Sequence, residues 1–200
     1  MGNSIYDLIK KRRSYRKLTK SDKIDSEVIE EILKTALYVP SAFNMQSYRI
    51  ILLEGQSNQD LWDIVEEKLI EKMGEEKYIT RKQPEKIKGF RGGNGTILFF
   101  EDDKVVEKKG NIAKSYKALF PNWSEQGSGI IQYAVWLMLT DKGLDASLQH
   151  YNPMIDERVK KRFKTEDGWR LISQMPYGIG EEKIEAREFE PFEKIVRFEK

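Results

Sequence analysis

Cysteine is absent from the chain. Its absence excludes disulfides, thiolate nucleophiles and any metal site built on sulfur, and it fits a reducing compartment. Histidine occurs once, at His150. No multi-histidine metal centre can therefore form, and a Ser-His-Asp triad would depend on that single imidazole. No Gly-x-Ser-x-Gly elbow offers a serine to it. Long apolar runs are also missing. None approaches ~18 residues, so no membrane-spanning helix is expected. The start of the chain, MGNSIYDLIKKRR, lacks the apolar stretch of a signal peptide. Strong charge of one sign is absent too: 35 Lys and Arg face 33 Asp and Glu, a net +2. Such a balance gives no reason to expect nucleic acid or a membrane surface as partner. A cytoplasmic location is the expectation.

The 200 residues are 39% hydrophobic and 34% charged, enough to build one globular domain over 1–200. Helical spacing at Ile5, Leu8 and Ile9 leads into the basic run Lys10 to Arg13. A stronger helix is predicted from Val28 to Leu37, capped by Ser26 and ended by Pro40. Residues 48–55, 96–102 and 169–178 read as buried strands, and 145–152 as a short strand entering a loop. Helices are expected over 57–80, 103–118 and 124–143, the last capped by Ser124 and ended by Gly143. Another helix is expected from Pro153 to about Phe163. Residues 81–95 read as a basic, glycine-rich loop, and the alternation in 192–198 suggests an edge strand. The order lacks regular βαβ alternation. It predicts an α+β fold with a central, mostly antiparallel sheet of about five strands flanked by helices.

Several segments carry usable chemistry, each with a simpler alternative. RRSYR (12–16) clusters Arg12, Arg13, Ser14 and Arg16; guanidinium forks and a hydroxyl suit a phosphate. Cations at a helix C-terminus also simply complement the dipole. SAFNMQSYR (41–49) offers Ser41, Asn44 and Gln46, whose amides suit the imide edge of a heterocycle. Asn and Ser are equally ordinary turn formers. LQHYN (148–152) sets His150 beside Gln149 and Tyr151; the imidazole could be an acid, a base or a structural hydrogen-bonder. GGNG (92–95) runs into a strand, not a helix, so it reads as a turn and not a phosphate cradle. The carboxylates of FEDD (100–103) read as a strand end and helix cap. Lys183 and Arg187 lie in a charged stretch that would usually be a solvated face. Trp123 and Trp136 fit core or interface packing better than a cofactor box.

The order of these segments resembles the flavin-dependent nitroreductase family. IKKRRSYRKL fits an R-x-S-x-R motif, and PSAFNMQSYRIILL fits a P-S-x-x-N-x-Q loop entering a strand. FPNWSEQGSG, ASLQHYNP and QMPYG are similar to the short subgroup of fatty-acid-repression-mutant-type proteins. The resemblance implies an intertwined homodimer with FMN held between the subunits. It also implies ping-pong hydride transfer from NADH or NADPH to nitroaromatic or quinone-type small molecules, with a role in stress response. An alternative is a flavin-binding regulatory or sensor protein with little turnover; a cofactor-free interaction protein is a weaker one. Carried over by position, Arg12, Ser14 and Arg16 would meet the phosphate, ribityl chain or ring edge, with Arg13 a further contact. Arg12 would favour negative charge on the pyrimidine edge. Ser41, Ala42, Asn44 and Gln46 would approach the flavin, often from the partner subunit. Gln149, His150 and Tyr151 would pass near the ring, and Lys183 or Arg187 would supply a late basic residue. No protein acid or base is implied, since the flavin carries the reaction. Two departures stand out. Ser47 follows Gln46 where the family loop often has proline, and residues 102–124 leave little room for the helical insertion of larger members.

Overall fold

The computed structural model describes residues 4–22 and 24–199. Nine helices and five strands alternate irregularly among the described residues. The helices are α1 (Ile5–Lys11), α2 (Ser26–Ala36), α3 (Gly55–Met73), α4 (Glu75–Thr80), α5 (Gln83–Arg91), α6 (Asp103–Ile112), α7 (Phe120–Asp141), α8 (Asp156–Phe163) and α9 (Phe192–Ile195). The strands are β1 (Leu18–Thr19), β2 (Tyr48–Glu54), β3 (Gly95–Asp102), β4 (Asp145–Ala146) and β5 (Trp169–Gly180). They form one antiparallel sheet in the order β1-β5-β3-β2, with β4 also on β5. This is the α+β architecture expected.

The central strand β3 is buried along its whole length, because helices cover both its faces. Successive side chains of a strand point to opposite faces. Ile97 and Phe99 accordingly join a core with Ile29 and Ile32 of α2 and Val135 and Leu139 of α7. Leu98 and Phe100 join a second core with Trp62 and Val65 of α3, Phe90 of α5 and Val159 of α8. The molecule is thus three layers, with α2 and α7 on one face and α3, α5 and α8 on the other.

Several local expectations are corrected. Asp25, not Ser26, caps α2, its carboxylate accepting from the Val28 N–H at 3.1 Å. Gly74, with φ +80°, breaks the segment 57–80 into α3 and α4. The expected loop 81–95 contains α5, started by Pro84 in its first turn. The third segment is also divided, α6 ending at Ile112 before a 3-10 turn at Lys114–Leu119. Helix α7 begins at Phe120, so Ser124 lies inside it and its hydroxyl donates to the Pro121 carbonyl. Helix α8 begins at Asp156, after a cis Asn152-Pro153 peptide. The segment 145–152 is strand only at its first two residues, with one further bridge between Gln149 and Gln174. Residues 192–198 form no strand; α9 is one helical turn, and Phe192, Ile195 and Phe198 are exposed. Asp102 caps α6 as expected, and Gly143 ends α7 with φ +79°. Among the described residues, no helix is long and apolar enough to cross a membrane, and no three potential ligands are placed to hold a metal.

Candidate functional site

Helix α1 ends because Arg12 leaves helical geometry, at ψ 122°. The chain then runs extended along the sheet edge: Ser14 bridges Ala146 of β4, and the Tyr15 N–H donates to the Ala146 carbonyl at 3.1 Å. This course holds the arginines of RRSYR against the start of the C-terminal segment. Arg187 donates to the Arg12 carbonyl at 2.6 Å, and Arg13 donates to the Glu185 carbonyl at 2.6 Å. The Arg12 guanidinium lies over the Trp136 ring of α7, 4.3 Å from its centroid. Such a pair contributes roughly 1–2 kcal/mol when partly desolvated. Burial first, then repulsion from Arg187, weakens the proton affinity of Arg12, and Tyr133 offsets part of this. The Arg12 Nε is buried and has no hydrogen-bond partner. Three guanidiniums therefore converge, and no ion pair to Arg12, Arg13 or Arg187 exists among the described residues. Half-buried cations with an orphaned donor form a locus suited to an anion with several acceptor oxygens.

A second group sits beyond Ser14. Helix α5 lies so close to the RRSYR segment that a Cβ on Gly89 would stand 2.3 Å from the Arg16 carbonyl oxygen. Glycine is required there by this approach. The contact brings Lys86 near Arg16 and near Tyr151, its ammonium 5.6 Å from the Tyr151 ring centroid. Burial and the Arg16 charge both push the Lys86 pKa down. Burial pushes the Tyr151 phenol up to about 12, and its hydroxyl has no partner. Arg16 and Lys86 line a cleft of about 840 Å3 together with Gln83, Lys82 and Gly89. Glu182 fixes the backbone of this segment, accepting from the N–H groups of Arg16 and Lys17.

The LQHYN segment forms a wall nearby. Gln149 exchanges both backbone hydrogen bonds with Gln174 of β5, at 2.7 and 2.9 Å. Its side-chain amide donates to Ser147 at 3.1 Å, and the Tyr151 N–H donates to the Gln174 amide oxygen at 2.8 Å. His150, between them, is exposed. The loop 41–46 lies elsewhere. The Ser41 Cβ is 3.9 Å from where a Cβ on Gly127 would be, whereas Arg12 stacks on Trp136, nine residues further along α7. At 1.5 Å per residue the separation is about 14 Å. Ala42–Asn44 makes a single 3-10 turn with left-handed φ at Phe43, Asn44 and Gln46. Ser41 holds the turn closed, its Oγ accepting from the Gln46 N–H at 3.0 Å, and Phe43 stacks on Trp123. A bulky non-glycine residue at positive φ is strained, so this loop is held by its surroundings.

Of the residues singled out in sequence, the structure thus brings together Arg12, Arg13 and Arg187, and places Arg16 near Tyr151. Ser41, Ala42, Asn44 and Gln46 stand apart from the Arg12 group within one chain. Lys183 is exposed, and its side chain makes no hydrogen bond or ion pair among the described residues. Lys86 and Trp136 were not recognised in sequence as site residues. Pro84 at the start, Glu85 in the first turn and Gly92 after Arg91 were the helix signals that would have placed Lys86 on an ordered element.

A sequence profile of the Nitroreductase family matches residues 9–179. The putative nitroreductase HBN1 of Saccharomyces cerevisiae is 32% identical over 151 residues, 76% of this chain and 72% of that protein. The nitroreductase FRM2 of the same yeast is 27% identical over 140 residues, 70% of this chain and 67% of that one. The nitroreductase CinD of Lactococcus lactis, solved with nicotinic acid, is 37% identical and superposes with a TM-score of 0.89 over 98% of this chain and 100% of that one. It has also been solved with 4-nitrophenol. A putative nitroreductase of Exiguobacterium sibiricum, solved with FMN, shares the fold at 16% identity, with a TM-score of 0.75 over 100% of this chain and 99% of that one.

Proposed function

The chain belongs to the nitroreductase family, in the short subgroup of its yeast relatives, and from that premise we propose an FMN-dependent oxidoreductase that passes hydride from NADH or NADPH to nitroaromatic or quinone-type acceptors. One observation carries the proposal. Arg12, Arg13 and Arg187 converge around the orphaned Arg12 Nε, and the same RRSYR segment carries Arg16 into a basic cleft with Lys86, whose ammonium lies 5.6 Å from the Tyr151 ring. The residues fit a flavin mononucleotide, whose phosphate is a multi-acceptor anion and whose ring is flat with a polar edge. Bound FMN supplies two-electron chemistry at its N5.

The chain's own residues bind and orient. Arg12 and Arg187 hold the phosphate, Ser14 adds a hydroxyl, and Arg13 reinforces the local field. The backbone arm from Ser14 to Lys17 is pinned by Glu182, and Arg16 on it, close enough to Lys86 to depress its pKa, would hold the pyrimidine edge with that lysine. Two cations there favour negative charge on that edge, a task first expected of Arg12. Tyr151 and His150 wall the ring without moving a proton. Donor and acceptor occupy the same open face in turn, which gives ping-pong kinetics.

The remaining loop completes the site from a second copy of the chain. Tyr38, three residues before Ser41, is 91% exposed, and Tyr6 of α1 is 73% exposed, so large aromatic side chains are left for a partner to cover. The Asn44 and Gln46 amides of the loop offer donors and acceptors to the partner's ring edge. A homodimer covers these side chains and brings each loop to the other chain's cleft. FRM2 and HBN1 are named as nitroreductases, and 4-nitrophenol and nicotinic acid in CinD are small aromatic molecules, in keeping with this reading.

The test is oxidation of NADH or NADPH with a nitroaromatic or quinone acceptor. Turnover well above that of free FMN is expected. A protein that binds FMN but turns over no faster than the free cofactor would instead be a flavin-binding module, and the enzymatic reading would fail.

A further inference from the structure

A separate cleft of about 710 Å3 opens beside His150 and Tyr151, bounded by α3, the end of α4 and the loop 150–154. Its floor is apolar and sulfur-rich: Leu69, Met73 and Met154, with Pro153 and the Tyr151 ring. Four charged side chains line it: Lys68, Glu71, Lys72 and Arg81. The acid is already engaged. Glu71 pairs with Lys68 at 2.7 Å and with Arg158 of α8. Its carboxyl is held below the usual range, chiefly by the Lys68 hydrogen bond. Lys72 and Arg81 are different. Neither side chain makes a hydrogen bond or ion pair among the described residues, and both are exposed.

Arg81 also lines the neighbouring cleft of Arg16 and Lys86, so the two clefts share a rim. An apolar, aromatic-sided floor with two unpaired cations at its edge is complementary to a flat apolar body bearing an anionic oxygen group. With no carboxylate among the described residues paired to either one, both cations remain available to the oxygens of a bound oxyanion.

We infer that this cleft is a specificity subsite in which Lys72 and Arg81 select an anionic oxyacid group on the molecule that reacts beside Tyr151. The inference deepens the proposed function and rests on it. Two molecules carry the required group. One is an aromatic acceptor with a carboxylate; the other is the nicotinamide dinucleotide, through its phosphates. The wall of the subsite is the same for both, so substrates must separate them.

The experiment uses the FMN-loaded protein and its Lys72→Gln, Arg81→Gln and double variants. One arm compares 4-nitrobenzoate with uncharged 4-nitrotoluene at saturating donor. The other compares NADPH and NADH with uncharged benzoquinone as acceptor. Lys72→Gln, at a residue that lines this cleft and not that of Arg16, is expected to raise KM for the anionic molecule by about tenfold with kcat and the KM for the uncharged acceptor unchanged, and Arg81→Gln to raise KM for the anionic molecule by a similar factor. A change confined to the first arm identifies the acceptor as the source of the anion, and a change confined to the second identifies the donor. An equal loss toward charged and uncharged acceptors, or no change in either arm, overturns the inference. The wild-type protein provides the control for the underlying reading. A flavin-loaded, active wild type with insensitive variants refutes the subsite alone, whereas a wild type that holds no flavin refutes both.

Discussion

Replacing Glu101 with glutamine should change how stability responds to pH. Glu101 follows Ile97 and Phe99 on the α7-facing side of β3 and is 0% exposed. Neither carboxyl oxygen has a hydrogen-bond partner. Burial lifts its pKa from the usual 4.5 to about 7. The nearby Ser47 hydroxyl and Arg170 pull it down, while Glu125 and Asp103 push it up. The neutral acid is therefore the form the fold accepts. Below about pH 4.5 the carboxyl is protonated in both folded and unfolded chains and costs nothing extra. Between there and about pH 7 the unfolded chain ionises first, so stability falls as pH rises. Above pH 7 the whole penalty is felt, about 3 kcal/mol for a gap of about 2.5 units. Glu101→Gln keeps the shape and removes the titration. Urea unfolding of both proteins at about pH 5 and about pH 8.5 should show the variant gaining roughly 2–3 kcal/mol on the wild type across that interval. A constant offset between the two, independent of pH, would refute the reasoning.

Gly89→Ala should destabilise the protein even though alanine favours helix by about 1 kcal/mol. The new Cβ meets the Arg16 carbonyl, and overpacking of this kind costs about 1–3 kcal/mol, so a lower Tm is expected and an unchanged one contradicts the close approach. His150→Ala should leave flavin reduction by NADH nearly intact in stopped-flow measurements, because the exposed imidazole only walls the site; loss of hydride transfer with FMN still bound would give it a chemical role. Tyr38→Glu and Tyr6→Glu together should weaken self-association in light scattering, since like charges would face each other on the exposed apolar surface, and an unaltered dimer would place the interface elsewhere.

The three long strands were legible because each is an aliphatic or aromatic run. Helices on both faces leave β3 buried throughout with an unbroken apolar stretch from Ile97 to Phe100, and 48–55, 96–102 and 169–178 end within about two residues of β2, β3 and β5. Helix α5 was not legible. It carries only Ile87 and Phe90 as large buried residues among lysines, and contact of Gly89 with the Arg16 backbone anchors it. The alternation in 192–198 misled for the opposite reason. Period two describes a strand only when a neighbour supplies hydrogen bonds, and β1 and β2 occupy the sheet edges. At the site, residue types pointed to the arginines, and the structure puts Arg187 on Arg12 across 175 positions. Spacing could not show that Trp136 carries the Arg12 guanidinium or that Lys86 faces Tyr151, because both contacts are made by tertiary packing. The strain in the 41–46 loop was equally hidden, since none of Phe43, Asn44 and Gln46 is the glycine that marks positive φ.

Titration of the purified protein with FMN, followed by the flavin absorbance near ~450 nm, tests the central claim most directly. The wild type should bind FMN, and Arg12→Ala should bind it at least about tenfold more weakly, as expected for a charge-assisted contact of about 1.5–3 kcal/mol. A protein that takes up no FMN, or one whose affinity is unchanged in Arg12→Ala, would contradict it.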